Sequence, residues 1–212
     1  DSVAQHYDLM NDLMSGGLHR IWKNRLVSMI NPKAGQDLLD VAGGTGDVAL
    51  RCYRTTKGHA NITVCDINPN MLKHGRARFI DQGILDTNSN VRFVTGNAEE
   101  LPIPSNSMDI YSIAFGLRNV THIDKTLREA VRVLRPGGRF YCLEFSPGVS
   151  PLIKPTYDRY CATALPWIGE NIARDRDAYL YLAESILKFP PQEELASRMT
   201  QAGVVNTRWV NL

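Results

Sequence analysis

From Asp37 onward the chain repeats one arrangement: a short apolar run, a stretch with helical spacing, then another apolar run. The runs from Asp37 to Ala42, Ile62 to Asp66, Val91 to Thr95, Asp109 to Ala114 and Arg139 to Phe145 have the length of buried strands. Helical patterns occupy Asp47 to Thr56, Asn70 to Asp81 and Ile123 to Leu134. Strands that alternate with helices pair in parallel, because each helix carries the chain back to the edge it left, and the expected product is a doubly wound α/β sheet. With 43% apolar residues in 212, one such domain can bury its core without disulfides or metal.

The remaining segments are read around that core. The first thirty residues look helical, with Leu18, Ile21, Trp22, Leu26, Met29 and Ile30 on one face, a break at Gly16-Gly17 and a stop at Asn31-Pro32. Pro136-Gly137-Gly138 is expected to end the helix over Ile123 to Leu134, with glycine as its left-handed cap. From Ser146 to Pro190 the alternation fails, and Tyr157, Tyr160, Trp167, Tyr179, Tyr181 and Phe189 crowd the segment. One amphipathic helix there has Tyr179, Leu182, Ala183, Ile186 and Leu187 on a common face. An insertion of this length is expected to be a lid over the site, the alternative being a cover for a sheet edge. A helix from Gln192 to Gln201 and a strand from Val204 to Val210 complete the reading. The expectation is thus a single domain with a cap at 1–30, a core at 36–145, a helical insertion at 146–190, and the last helix and strand at 191–212.

Composition excludes several classes of function. A formal net charge of +2 gives no strong electrostatic pull toward nucleic acid, so none is expected as a partner. Cys52, Cys65, Cys142 and Cys161 stand singly, as reduced apolar thiols do, and the histidines show no ligand spacing, so no metal is expected. His122 is read as a surface residue rather than a base.

The stretch Leu38-Leu39-Asp40-Val41-Ala42-Gly43-Gly44-Thr45-Gly46-Asp47 marks a ligand. Glycines after a strand let the backbone turn tightly and let a ligand approach where a side chain would collide. Gly43, Gly44, Thr45 and Gly46 are the candidate cradle. Asp66 follows about twenty residues on, at a strand end, where a carboxylate can hold ribose hydroxyls. That much also fits a dinucleotide. Asp40 shifts the balance to S-adenosylmethionine, because a carboxylate ahead of the glycines attracts an ammonium group and repels a pyrophosphate. Asp47 competes with phosphate for the positive start of the next helix, unless it is only an N-cap. Asn97 and Ala98, after the third strand, suit an adenine edge, unless Asn97 merely forms a turn.

Further motifs sharpen the reading. Tyr7-Asp8-Leu9-Met10-Asn11-Asp12, Ser15-Gly16-Gly17-Leu18-His19-Arg20-Ile21-Trp22, Phe115-Gly116-Leu117-Arg118-Asn119-Val120-Thr121, Arg132 to Gly138, Glu144-Phe145-Ser146 and Tyr181 to Ile186 together resemble the ubiquinone/menaquinone biosynthesis C-methyltransferases. The resemblance implies a Rossmann-like class I S-adenosylmethionine-dependent methyltransferase fold, with cofactor contacts at Thr45, Asp66, Asn97, Ala98 and Ala114. It implies C-methylation of a polyprenyl hydroquinone, in the mitochondrial branch 2-methoxy-6-polyprenyl-1,4-benzoquinol. It also implies peripheral membrane contact on the matrix side of the inner membrane in a eukaryote or a cytoplasmic site in a bacterium, a homodimer, and company with other enzymes of a quinone-biosynthetic complex. Such folds finish with a β-hairpin, so a further C-terminal strand is expected to be missing.

Ring-carbon methylation needs the carbon aligned with the methyl donor and the ring hydroxyl made acidic. Arg118, expected at the crevice mouth, is the candidate catalytic residue, since a fixed positive charge stabilises a phenolate directly or through water. A guanidinium is a poor base, so the proton acceptor stays open. Asn119, Tyr7 and Asn11 are candidate substrate contacts, and the aromatic insertion from Pro151 to Phe189 is the candidate wall for the prenyl tail. Methylation of oxygen or nitrogen on another small molecule, an NAD-dependent oxidoreductase, and a cofactor-binding scaffold remain the alternatives.

Overall fold

The computed structural model describes residues 17–85, 90–146, 181 and 184–212. Five parallel strands, β1 (Asp37–Val41), β2 (Asn61–Asp66), β3 (Val91–Thr95), β4 (Met108–Ala114) and β5 (Leu134–Leu143), lie in the order β3-β2-β1-β4-β5. The helices are α1 (Leu18–Ile30), α2 (Asp47–Thr55), α3 (Pro69–Asp81), α4 (Ile123–Val133) and α5 (Gln192–Ala202). Alternate residues of β1 show why the sheet needs cover on both sides. Leu38 joins the core formed with α1, α2 and α3, whereas Leu39 joins the core on the opposite face, with Ala130 and Val133 of α4. The chain winds outward from β1 to β3, then crosses to β4 and winds the other way. The reversal lies between β1 and β4, and ligands of open parallel sheets bind outside the strand ends at that point.

Several local expectations are corrected. Helix α1 buries His19, Lys23, Leu26, Val27 and Ile30, while Leu18 and Ile21 are exposed. Its inward face is therefore rotated from the apolar stripe, because Lys23 turns inward to an acidic partner. Asn31 ends the helix as expected, in the left-handed conformation with its N–H on the Val27 carbonyl. Helix α4 does not run to a glycine cap: Leu134 is already extended and pairs with Met108. Gly137, with φ +80°, falls inside β5, where the ladder shifts register between Met108 and Ile110. Pairing with β4 captures the chain before a capping motif can form.

The strand expected from Val204 to Val210 is absent: residues 204–212 follow α5 without ladder pairing, and Val205 is 79% exposed. An apolar run becomes a strand only against a partner edge, and among the described residues none pairs with it. Most of the 146–190 insertion lies outside the described residues. Within its described part Ile186 and Phe189 are buried, whereas Tyr181 and Leu187 are exposed, so Ile186 and Leu187 do not share one buried face.

Candidate functional site

At the C-terminal ends of β1 and β4 the backbone adopts conformations that side chains normally avoid. Ala42 has φ +50° and Phe115 has φ +57°. Left-handed backbone at a bulky residue costs of the order of 1–3 kcal/mol and persists where the surroundings impose it. Both residues line one cleft, with Lys23, Asp40, Gly43, Gly44, Thr45, Asp47, Val48, Met71 and Ala114 completing its wall.

The glycine loop fits a close ligand. A Cβ on Gly43 would stand 2.7 Å from Val64 and 3.0 Å from the Asp40 carbonyl, so only glycine lets the loop lie flat on the strand ends. Gly44 and Gly46 take φ +55° and +74°, and the Gly46 N–H closes the turn on the Gly43 carbonyl at 2.8 Å. The Gly44 N–H donates to Asp66 Oδ2 at 2.8 Å, and Asp66 Oδ1 accepts from the Asn68 N–H at 2.8 Å. Asp66 therefore stands as expected at the end of β2, its carboxylate oriented by two backbone donors.

Asp40 is buried within β1, and Ser112 of β4 donates to its Oδ1 at 2.8 Å. Its second oxygen, Oδ2, is buried without a hydrogen-bond partner among the described residues. Burial pushes this carboxyl up to about 7, against the lowering effects of Ser112, the Ala49 backbone and Lys23. A buried oxygen left without a donor is costly, and it marks where a donor from a ligand completes the network. An ammonium group supplies that donor and the compensating charge. The cleft at Asp40 thus fits the amino-acid end of S-adenosylmethionine.

Asp47 is the first residue of α2, and Gly46, not Asp47, occupies the N-cap position. Asp47 makes ion pairs with Lys23 at 3.0 Å, Arg51 at 3.3 Å and Arg78 at 3.5 Å. Burial raises its carboxyl, but these cations outweigh burial and hold it below the usual range. A carboxylate in this position occupies the helix start that a pyrophosphate would need. The N-cap reading is thereby corrected, and the Asp47 carboxylate at the helix start disfavours a dinucleotide.

Asn97 is exposed in a turn: its Oδ1 accepts from the Glu99 N–H at 3.0 Å, and it bridges to Glu100. The turn and the adenine contact are compatible, because the turn engages Oδ1 and the amide nitrogen is a second polar group of the same side chain. Ala98 is half-buried beside it, and Ala114 lines the cleft at the end of β4. His122 is exposed at the start of α4, its backbone N–H donating to Glu99, which agrees with its surface reading.

Arg118 is placed differently from expectation. It lies in a 3-10 turn, Leu117–Asn119, and its side chain is 1% exposed, beneath the mouth rather than at it. The guanidinium meets Glu144 Oε2 at 2.8 Å, and the Arg118 N–H donates to Glu144 Oε1 at 3.2 Å. It also lies 5.9 Å from the Phe115 ring and 5.6 Å from the Phe145 ring. Desolvation opposes burying a guanidinium, and such a place is tolerated where a carboxylate accompanies it. Burial raises the Glu144 carboxyl, and Arg118 counteracts that rise. Trp22 of α1 continues the aromatic wall edge-on to Phe145 at 5.8 Å. Asn119 is exposed, with its amide 3.5 Å from the Phe115 carbonyl, while Tyr7 and Asn11 lie outside the described residues.

Sequence reasoning missed Lys23 and Glu144. Glu144 had a signal, its place in the Glu144-Phe145-Ser146 motif beyond β5. Lys23 had none, since a lysine on an amphipathic helix ordinarily faces water. Among the described residues no group of His, Cys, Asp and Glu can hold a metal ion.

Comparison with known proteins agrees with this geometry. The family model described as the ubiE/COQ5 methyltransferase family matches residues 1–212. The chain is 50% identical to the mitochondrial 2-methoxy-6-polyprenyl-1,4-benzoquinol methylase of Arabidopsis thaliana, over all of this chain and 78% of that protein. It is also 50% identical to the ubiquinone/menaquinone biosynthesis C-methyltransferase UbiE of Brucella suis, over 99% of this chain and 77% of that one. In fold it is similar to a SAM dependent methyltransferase from Aquifex aeolicus, with TM-score 0.60 and 17% identity over 88% of this chain and 81% of that one.

Proposed function

Since the chain belongs to the ubiE/COQ5 methyltransferase family and is an S-adenosylmethionine-dependent methyltransferase of ubiquinone biosynthesis, we propose that it methylates a ring carbon of 2-methoxy-6-polyprenyl-1,4-benzoquinol. The single observation that carries the acceptor reading is the buried Arg118–Glu144 pair, which adjoins the cofactor cleft through Phe115. Bound in that cleft, S-adenosylmethionine supplies a methyl group on a positively charged sulfur. Asp40 holds the amino-acid end, Asp66 the ribose, and Asn97 with Ala98 the adenine, while Ala114 and Phe115 wall the methyl-bearing end.

Arg118 offers its charge to the ring hydroxyl from an apolar enclosure, where electrostatic stabilisation of a phenolate is stronger than in water. Glu144 positions the guanidinium and keeps the buried charge compensated when no substrate is present. The hydroxyl proton leaves through ordered water, because a guanidinium does not deprotonate. Asn119 at the turn, with Tyr7 and Asn11, contacts the ring oxygens, and the segment from Pro151 to Phe189 covers the prenyl tail.

The enzyme meets its lipid-tailed substrate as a peripheral protein. It works on the matrix side of the inner membrane in a eukaryotic cell and in the cytoplasm of a bacterium, as a homodimer in contact with neighbouring enzymes of quinone biosynthesis. Among the described residues no helix is long and apolar enough to cross a membrane.

The test is Arg118→Lys, which keeps the charge but loses the planar fork. Turnover of a short-tailed methoxybenzoquinol should fall by about 10²–10³. The dissociation constant for S-adenosylhomocysteine should stay within about twofold. Retained turnover would remove Arg118 from the chemistry.

A further inference from the structure

The cation cluster around Asp47 is larger than one carboxylate requires. Lys23, Arg51 and Arg78 all converge on it, which leaves an excess of positive charge even when Asp40 is ionised. Of the three, Lys23 is the most enclosed, its side chain being 9% exposed, and it alone lines the cleft with Asp40 and the glycine loop. An ammonium so far from water needs negative partners, and Asp47, which stands 3.0 Å from it, is shared with two arginines. Arg51 and Arg78 are more open and serve Asp47 from outside the cleft.

The cleft wall is thus polarised. One part offers Asp40 Oδ2, an acceptor with no donor among the described residues, and another offers the Lys23 ammonium. Asp66, the proposed ribose ligand, meets the glycine loop from β2 through the Gly44 N–H, whereas Asp40 and Lys23 reach the cleft from β1 and α1. An α-amino acid presents the complementary pair, an ammonium and a carboxylate on one carbon.

We propose that Lys23, carried by the N-terminal helix, binds the α-carboxylate of the cofactor while Asp40 binds its ammonium. Together they make the site selective for a complete amino-acid terminus. Asp47 holds the Lys23 ammonium in place before binding and shares it afterwards. The same helix sets Trp22 against Phe145, so cofactor capture by Lys23 also anchors the helix that walls the Arg118 pair.

The experiment compares two ligands by calorimetry: S-adenosylhomocysteine, and its decarboxylated analogue, which keeps the amine and lacks the carboxylate. The wild-type protein should bind the first at least about tenfold more tightly. Lys23→Met, which preserves the aliphatic stem, should weaken S-adenosylhomocysteine by about 10- to 100-fold and leave the analogue within about twofold. Equal weakening of both ligands would show that Lys23 only supports the fold, and unchanged binding of both would remove it from the site. Should the variant fail to fold, the wild-type comparison decides by itself, since equal affinities for the two ligands would overturn the assignment.

Discussion

Single side chains carry the chemistry through their surroundings. Asp40 is an ordinary carboxyl made reluctant to ionise by burial, and the direction of its shift fixes how pH acts. In the unfolded chain it titrates near 3.9, and in the folded protein at about 7, so between those values the native state holds the extra proton. Stability from this group is full below about pH 4 and is lost as pH rises toward 7, by an amount on the order of 4 kcal/mol. Asp40→Asn should flatten that decline in urea titrations at pH 5 and pH 8; an unchanged decline would mean that Asp40 is not its source. Cofactor binding acts the other way, because an ammonium favours the ionised carboxylate. Affinity for S-adenosylhomocysteine should therefore rise from pH 6 to pH 8 with proton release, visible as a buffer-dependent heat, and Asp40→Asn should lose both affinity and release. Asp47, held low by three cations, loses its contribution only in acid, below the ordinary carboxylate range, so the two effects separate. For the Arg118 pair, Glu144→Gln removes the buried carboxylate that faces the guanidinium at 2.8 Å, which should cost about 3–5 kcal/mol of stability, measured by chemical denaturation.

At the scale of elements, the site is built from strand ends and the helix starts that follow them. Asn68 caps α3, accepting from the N–H groups of Asn70 and Met71, while its own N–H holds Asp66. Asn68→Ala should lower stability by about 1 kcal/mol through the lost cap, and it should leave cofactor binding nearly unchanged, because the N–H that holds Asp66 belongs to the backbone. Thermal unfolding and ligand titration of one preparation check both effects, and clearly weakened binding would show that the cap itself supports the site. The strands and helices from Asp37 to Val133 were legible because periodicity reports burial, and burial is what the sheet imposes. Two elements were misread for a shared reason. The α1 face turns to satisfy Lys23 rather than to bury every apolar residue, and the Val204 to Val210 run finds no edge to pair with among the described residues. Pattern reading records local preference, whereas both outcomes depend on a partner distant in sequence.

Across the whole molecule, the reversal of winding between β1 and β4 gathers Asp40, Ala42, Ala114 and Phe115 from distant stretches into one crevice. The Arg132 to Gly138 motif serves this architecture. Arg132 holds the carbonyls of Leu101 and Ile103, and Arg135 ties Asp37 of β1 to Asp109 of β4. The cofactor half of the site was readable because its residues sit at fixed places after each strand. The acceptor half was readable only as motifs, since the burial of Arg118 depends on Glu144 and on rings from Phe115 and Phe145. The central claim is therefore tested by identifying the product formed from a short-tailed 2-methoxy-6-polyprenyl-1,4-benzoquinol and methyl-labelled S-adenosylmethionine. The account predicts one labelled methyl per molecule bonded to a ring carbon, with both hydroxyls free, by mass spectrometry and carbon NMR. Label on a hydroxyl oxygen, or no transfer to this substrate by protein that binds the cofactor, would contradict it.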